Sequence, residues 1–325
     1  MSKVNEPTYY GGQAVMEGVL MRGKKAYAMA VRAPDGEIKM VEKPLSTVTD
    51  RYPFLKWPLI RGSVALVSSM VMGYSALAQS AEIAMSEEME PTSKFEKWLI
   101  EKFGEKLNKI VMGFAMVLAL VLGVGLFMLL PTFLAGFVPV SITFVGAIEG
   151  IVRMAIFIGY VFLISRMKDI QRVFQYHGAE HKAINCHEQN LPLTLENVAA
   201  CNRLHKRCGT SFMLVVMVVM MVLFMIIRID DIWLRLASRI LLLPVTAGIS
   251  YEISVKWAGR RDNWLVRAII APGMLIQRLT TKEPDEAQIE VAVTALEKAL
   301  EQDGVQPCRS SEPSHSGLDP ESSQL

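Results

Sequence analysis

Val111 to Leu130 is a run of 20 residues without a charge, closed by Pro131. At about 1.5 Å per residue, a helix of that length reaches about 30 Å, the thickness of a bilayer's hydrocarbon core. A soluble core helix seldom needs so long an uninterrupted apolar stretch, so this segment commits the chain to a polytopic membrane architecture. Further apolar blocks fit the same scheme. Phe133 to Ser165 is broken only by Glu149 and Arg153, Ser211 to Ile227 is uncharged, and Ile240 to Tyr251 ends at Glu252. The predicted spans are 110–130, 142–165, 210–228 and 238–255. The fold class is therefore a mainly α-helical membrane protein with about four transmembrane helices.

Lysine and arginine counts orient these spans. Residues 1–110 carry 15, 166–210 carry 7 and 256–325 carry 8, against none in 131–141 and three in 228–239. The positive-inside rule then predicts a multi-pass membrane protein with both termini and the long middle segment cytoplasmic. Met1 to Tyr10 has no apolar core of a signal peptide. Gly62 to Ala81 is also uncharged, but it has five serines, and a span there would place ten basic residues outside. It is expected to lie on the membrane or against the bundle. With 34 basic and 32 acidic residues the chain is nearly neutral, which excludes nucleic-acid binding carried by bulk charge.

The expected organisation is as follows. Residues 1–109 form a cytoplasmic region with a β-hairpin and a membrane-associated helix. Spans one and two occupy 110–165, a His/Cys-rich cytoplasmic segment 166–209, spans three and four 210–255, and cytoplasmic helices 256–302. A disordered tail follows in 303–325. The hairpin prediction rests on the alternation in Ala26–Val31, the turn Pro34-Asp35-Gly36 and a returning strand Glu37–Val41. GGQAVMEGVLMRG (Gly11–Gly23) has four glycines, too many for an ordinary helix. Ile289, Val293, Leu296 and Leu300 recur at helical spacing.

The chemistry concentrates in one place. Four of the five histidines and three of the four cysteines fall between His177 and Cys208. His177, Glu180 and His181 form H-x-x-E-H, which on a helix directs two imidazoles and a carboxylate to one side. Such a pair can hold a divalent ion, zinc above all, with the glutamate as general base toward a metal-bound water. His205 and Cys208, in HKRCGTSF before the third span, are candidates to complete the ligand set, and Glu17 and Glu252 are more distant ones. Glu149 and Arg153 stand i, i+4 inside a span, as an ion pair or a polar pathway. Arg22 and Arg61 read as headgroup or carboxylate contacts. A straight continuation of the second span would lift His177 about 18 Å past the membrane, against about 8 Å for His205. A shared site therefore requires a tilt or break before His177, or a later membrane boundary, and the three imidazoles are expected within roughly 5 Å of one another.

YYGGQAVMEGVLMRG, EGIVRMAIFIGYVFLIS, QRVFQYHGAEHKAINCHE, HKRCGTSF and APGMLIQRLTTKEPDEAQIEVAVTALEKAL together resemble the bacterial YqhQ-like family, from about Tyr9 to Leu300. That family is a domain of unknown function described as predicted metal-dependent membrane enzymes. The resemblance implies a site at His177, Glu180, His181, His205 and Cys208, with Glu17, Arg22, Glu149 and Arg153 of second rank. His187 stands where the family pattern leads one to expect tyrosine. The leading expectation is a zinc hydrolase facing the cytoplasm, embedded in the bilayer, of open substrate and with homo-oligomerisation open. A membrane scaffold with a structural His/Cys metal site is the alternative from another class, and a transporter ranks below both.

Overall fold

The computed structural model describes residues 10–45, 49, 52–85, 106–139, 141–257 and 263–308. An antiparallel meander opens the chain: β1 (Gly11–Val15), β2 (Gly18–Arg22), β3 (Ala26–Arg32) and β4 (Ile38–Pro44), adjacent in that order. The expected hairpin is β3–β4, with Arg32 opposite Ile38. The glycine-rich stretch before it supplies two further strands, with Val15 opposite Gly18 across a two-residue turn of Met16 and Glu17. Glu17 adopts φ 50°, a left-handed conformation unusual for a non-glycine residue.

Alternation gives the sheet two buried faces. Val19, Met21, Ala28 and Ala30 pack against α4 (Lys168–Glu188) and α10 (Glu286–Asp303), through Tyr176, Ala179, Ala183, Ile289, Leu296 and Leu300. Val15, Leu20, Tyr27, Met29 and Val31 face the other way, onto Met72, Ala76 and Ile83 of α1 (Ile60–Ala84). α10 begins in a capping box between Asp285 and Gln288 and ends at Gly304 in the left-handed conformation. Asp303, where the tail was expected to begin, is the last residue of α10. Its carboxylate accepts hydrogen bonds from the Lys24 and Lys25 amides at 2.8 and 3.0 Å. The remainder of that segment from 309 onward lies outside the described residues.

The apolar helices form the rest of the molecule. α2 (Lys106–Val124) continues through a π-helical turn (Gly125–Leu129) to Ala135. α3 (Ile142–Ile164) precedes α4, and α5 (Leu195–Ala200) follows it. Then come α6 (Gly209–Ile226), α7 (Ile232–Leu241), α8 (Leu243–Tyr251, with a π-helical extension Glu252–Trp257) and α9 (Trp264–Thr280). Among the described residues, four helices are long and apolar enough to cross a membrane: Ile60–Ala84, Gly113–Ala135, Phe144–Ile164 and Gly209–Ile226. The expected span 238–255 is not one straight helix. α7 and α8 meet at a 44° bend, beside Pro244, which cannot donate to the ladder and whose ring clashes with the preceding turn.

α3 and α6 touch at Gly146 and Gly150, where a Cβ would come within 2.6 Å of the Phe224 backbone and 2.4 Å of the Met221 side chain. This is the small-xxx-small contact by which apolar helices approach closely. α1 leaves the helical bundle at its start, where Gly62 lies against Gly248 and Tyr251 of α8, and runs out under the sheet. The Met16 amide donates to Ser80 Oγ at 3.1 Å, fixing that far end.

Candidate metal centre

α3 ends at Ile164 and α4 starts at Lys168, so the chain breaks three residues after the apolar helix and redirects the histidine-bearing helix. This is the break a shared site required. On α4, His177 and His181 lie side by side, their rings tilted by 58° with centroids 4.4 Å apart. Cys208 approaches from the residue preceding α6, its Sγ 3.3 Å from His177 Nε2. One ligand atom from each of His177, His181 and Cys208 falls in a group whose members all lie within 4.8 Å of one another. Donor atoms about 2.0–2.3 Å from a common zinc ion are spaced within that limit.

The tautomers follow from the outer contacts. His177 Nδ1 faces the Thr280 carbonyl at 2.9 Å and His181 Nδ1 faces the Arg203 carbonyl at 2.7 Å. A carbonyl only accepts, so each Nδ1 carries the proton and each Nε2 keeps its lone pair. This backbone grip on the distal nitrogen is the usual support of a metal-ligating imidazole. Burial also lowers the His181 pKa, with the neighbouring His177 acting in the same direction.

Glu180 is buried beneath the pair, its Oε2 3.8 Å from His177 Nε2. Burial raises its pKa, opposed by His177, His205 and a hydrogen bond from the Gly12 amide. Gly12 is required there, because a Cβ would fall 2.6 Å from Glu180 Cγ. β1 thus forms part of the wall.

Gly178 is the other close approach. A segment after α9 crosses it so tightly that a Cβ would sit 2.1 Å from the Lys282 carbonyl oxygen. The Lys282 amide donates to the Phe174 carbonyl at 2.8 Å, and Arg203 Nη1 donates to the Thr281 carbonyl at 3.1 Å. Lys182, buried, donates to the Ala199 carbonyl at 2.6 Å and pairs with Glu283 at 2.5 Å. These contacts hold Thr280, the partner of His177, in place.

The other expected site residues lie elsewhere. His205 is near, its ring centroid 5.7 Å from that of His181, yet it is not in the group of three ligand atoms. Its Nε2 points at Glu188 Oε2, 3.4 Å away. Its backbone is clamped by Gln277, whose Oε1 accepts from the His205 amide and whose Nε2 donates to the His205 carbonyl and Ser211 Oγ. The thiol of Cys208 takes the place that the three-imidazole expectation gave to His205. Glu17 binds the Arg172 guanidinium and accepts from Tyr176 Oη at 3.2 Å. Arg22 ends β2, opposite Gly11 and Tyr27. Arg61 and Glu252 form a two-bond ion pair at 2.7 and 2.5 Å, joining α1 to the end of α8. Glu149 and Arg153 pair at 2.6 Å, but Arg239 binds the same carboxylate at 2.8 Å. Sequence reasoning did not anticipate Arg239, Gln277, Glu188 or the Thr280 and Arg203 carbonyls. Gln277 stands in APGMLIQRLTTKE, one of the family motifs, which was its only signal.

A family model described as "Protein of unknown function (DUF1385)" matches residues 57–302, which include the two histidines, Cys208 and the crossing segment. The chain belongs to this family. The uncharacterized protein YqhQ of Bacillus subtilis (strain 168) is 38% identical over 304 residues, covering 92% of this chain and 95% of that protein. No solved structure matches this DUF1385 chain.

Proposed function

We propose that this DUF1385 protein is an integral membrane hydrolase working with one zinc ion held by His177, His181 and Cys208. The observation that carries the reading is the convergence of one ring nitrogen from each of His177 and His181 with the Cys208 thiol within 4.8 Å, with a buried carboxylate beside them. Two imidazoles and a thiolate suit zinc. Three protein ligands leave a coordination position open, whereas structural zinc sites close with four. Zinc bound there supplies Lewis acidity and acidifies a water at neutral pH. Glu180 accepts the proton of the attacking water and returns it to the leaving group. Burial shifts its carboxyl toward greater basicity, the direction that both transfers favour. The backbone carbonyls of Thr280 and Arg203 hold the imidazoles in the required tautomer. The substrate is an amide or ester presented at the membrane surface.

Burial patterns support the membrane assignment. α7 turns Arg235 and Arg239 inward while Trp233 and Leu241 are 76% and 75% exposed, the reverse of a water-facing helix. The sheet, α4 and α10 share one core, so they lie on one side of the bilayer. The chain then crosses an even number of times between β4 and α4, and again between α4 and α10. α2 with α3 and α6 with α8 satisfy this. α1 is left out as a span, since Met72, Ala76 and Ile83 cover the sheet. Of three basic residues in 228–239, two are buried in the bundle, which sharpens the charge asymmetry toward cytoplasmic termini.

The test is metal content. Protein purified in detergent without chelator should hold about one zinc per chain, lost in His177→Ala, His181→Ala and Cys208→Ala. Glu180→Gln should keep the zinc and abolish function. Wild-type protein that neither retains nor takes up stoichiometric zinc sinks the proposal. A functional Glu180→Gln protein alongside a dead His181→Ala protein would make the site structural.

A further inference from the structure

The charge buried between α2, α3 and α7 does not balance. Glu149, fully buried, accepts from Arg153 Nη2 at 2.6 Å, Arg239 Nη2 at 2.8 Å and Thr132 Oγ1 at 2.8 Å. Arg235, one turn before Arg239 on the same side of α7, is also buried. Two guanidinium groups thus share one carboxylate, and a third, that of Arg235, is buried one turn away on α7. A guanidinium does not shed its proton in a protein, so the excess charge needs a counter-ion.

The hydrogen bonds point to where that counter-ion belongs. Arg239 is held by Glu149 and by the Phe224 ring, 3.7 Å beneath its guanidinium carbon. Arg153 spends Nε on the Phe127 carbonyl, in the π-helical turn of α2, and Nη2 on Glu149. Its Nη1 and the Nε of Arg235 are buried with no hydrogen-bond partner among the described residues. Both belong to side chains more than nine-tenths buried. Ionisable groups at such depth are costly, and in spanning helices they mark sites of function.

We propose that Arg153, Arg235 and Arg239 form a recognition site for a phosphate group, supplied by an anionic phospholipid headgroup in the extracytoplasmic leaflet. The inference rests on the membrane reading given above but is independent of the zinc site. A phosphodiester offers two free oxygens, the acceptor pattern that a guanidinium fork matches, and in a headgroup without a choline ammonium it also brings the net negative charge that the excess of arginine requires. The approach is from lipid: the outer face of α7 presents Trp233, Leu234 and Leu241. A free phosphate ion shares the headgroup's chemistry but not this route.

The experiment is native mass spectrometry of detergent-purified protein titrated with phosphatidylglycerol, phosphatidylcholine of the same acyl chains, or inorganic phosphate. Wild-type protein should bind one phosphatidylglycerol per chain at least about tenfold more tightly than phosphatidylcholine. Arg235→Gln should lose that preference. Its unfolding midpoint in lipid-free detergent should match the wild type, since the Arg235 side chain does not hold Glu149, and that match rules out misfolding as the cause. Arg153→Gln is the second variant and should lose the preference likewise. Equal binding of the two lipids by wild-type protein overturns the proposal, as does an undiminished preference in both variants. Displacement of phosphatidylglycerol by equimolar inorganic phosphate would overturn the lipid source and leave a free-anion site. Extraction of the protein from cell membranes by salt alone, without detergent, would instead remove the membrane reading beneath it.

Discussion

Replacing Gly178 with alanine should destabilise the protein, although helix propensity alone predicts the opposite. In a helix interior alanine is favoured over glycine by about 1 kcal/mol. Here the new methyl would meet the Lys282 carbonyl oxygen at 2.1 Å and Pro284 Cδ at 3.4 Å. A backbone carbonyl cannot rotate aside, so the crossing segment must retreat by about 1 Å to reach tolerable contact. That movement strains the bond from the Lys282 amide to the Phe174 carbonyl, now 2.8 Å, worth about 1 kcal/mol. Overpacking adds about 1–3 kcal/mol, so the net loss is about 1–3 kcal/mol. The same shift carries Thr280 away from His177, which should weaken zinc binding by about tenfold. The assay is thermal unfolding in detergent followed by circular dichroism, with chelator present, and zinc affinity by competition titration. Gly159→Ala is the control, because a Cβ there meets nothing within 4 Å. If Gly178→Ala melts at or above the wild-type temperature, in step with the control, the reasoning about the crossing segment is wrong.

Glu180→Gln should stabilise the metal-free protein in a pH-dependent way. The folded carboxyl pKa is raised from 4.5 by burial, so the folded state holds the proton more tightly and loses stability as pH rises from 4.5 through the folded value. Glutamine removes that loss, so its advantage should grow as pH rises above 4.5. An offset in unfolding midpoint that does not change with pH would refute the assignment. Asp303→Ala should cost about 1 kcal/mol by releasing the Lys24 and Lys25 amides, and Asp303→Asn should recover much of it. Hydrogen exchange at those two amides reads the effect directly, and unchanged protection in the alanine variant would contradict it.

The apolar runs were legible because a hydrocarbon environment excludes charge over a fixed length, a constraint written into consecutive residues. α1 was only half legible. Hydropathy records that Met72, Ala76 and Ile83 avoid water but not whether lipid or a sheet covers them. The β1–β2 hairpin was hidden because its turn places Glu17 rather than glycine at positive φ. At the site, the i, i+4 histidines and their glutamate were visible as local periodicity. The choice between His205 and Cys208 was not, since they lie three residues apart. What separates them comes from afar, as Gln277 clamps the His205 backbone and Glu188 engages its ring. Arg239 escaped notice for the same reason: its carboxylate partner is 90 residues away.

The sheet and its covering helix stand at opposite ends of the described chain, and this sets an order of events during synthesis. Val19, Met21, Ala28 and Ala30 are made more than 250 residues before Ile289, Leu296 and Leu300, which shield them. Until those arrive, one apolar face of the sheet lies bare while every helix between is being made. Thr280, which grips His177, arrives in the same late stretch. A ribosome that stalls before α9 and α10 therefore releases a chain with both an exposed strand surface and an unfinished His177–His181–Cys208 cluster, a species suited to removal by proteases. Formation of α10 acts as a clasp, closing over a sheet that was made long before it.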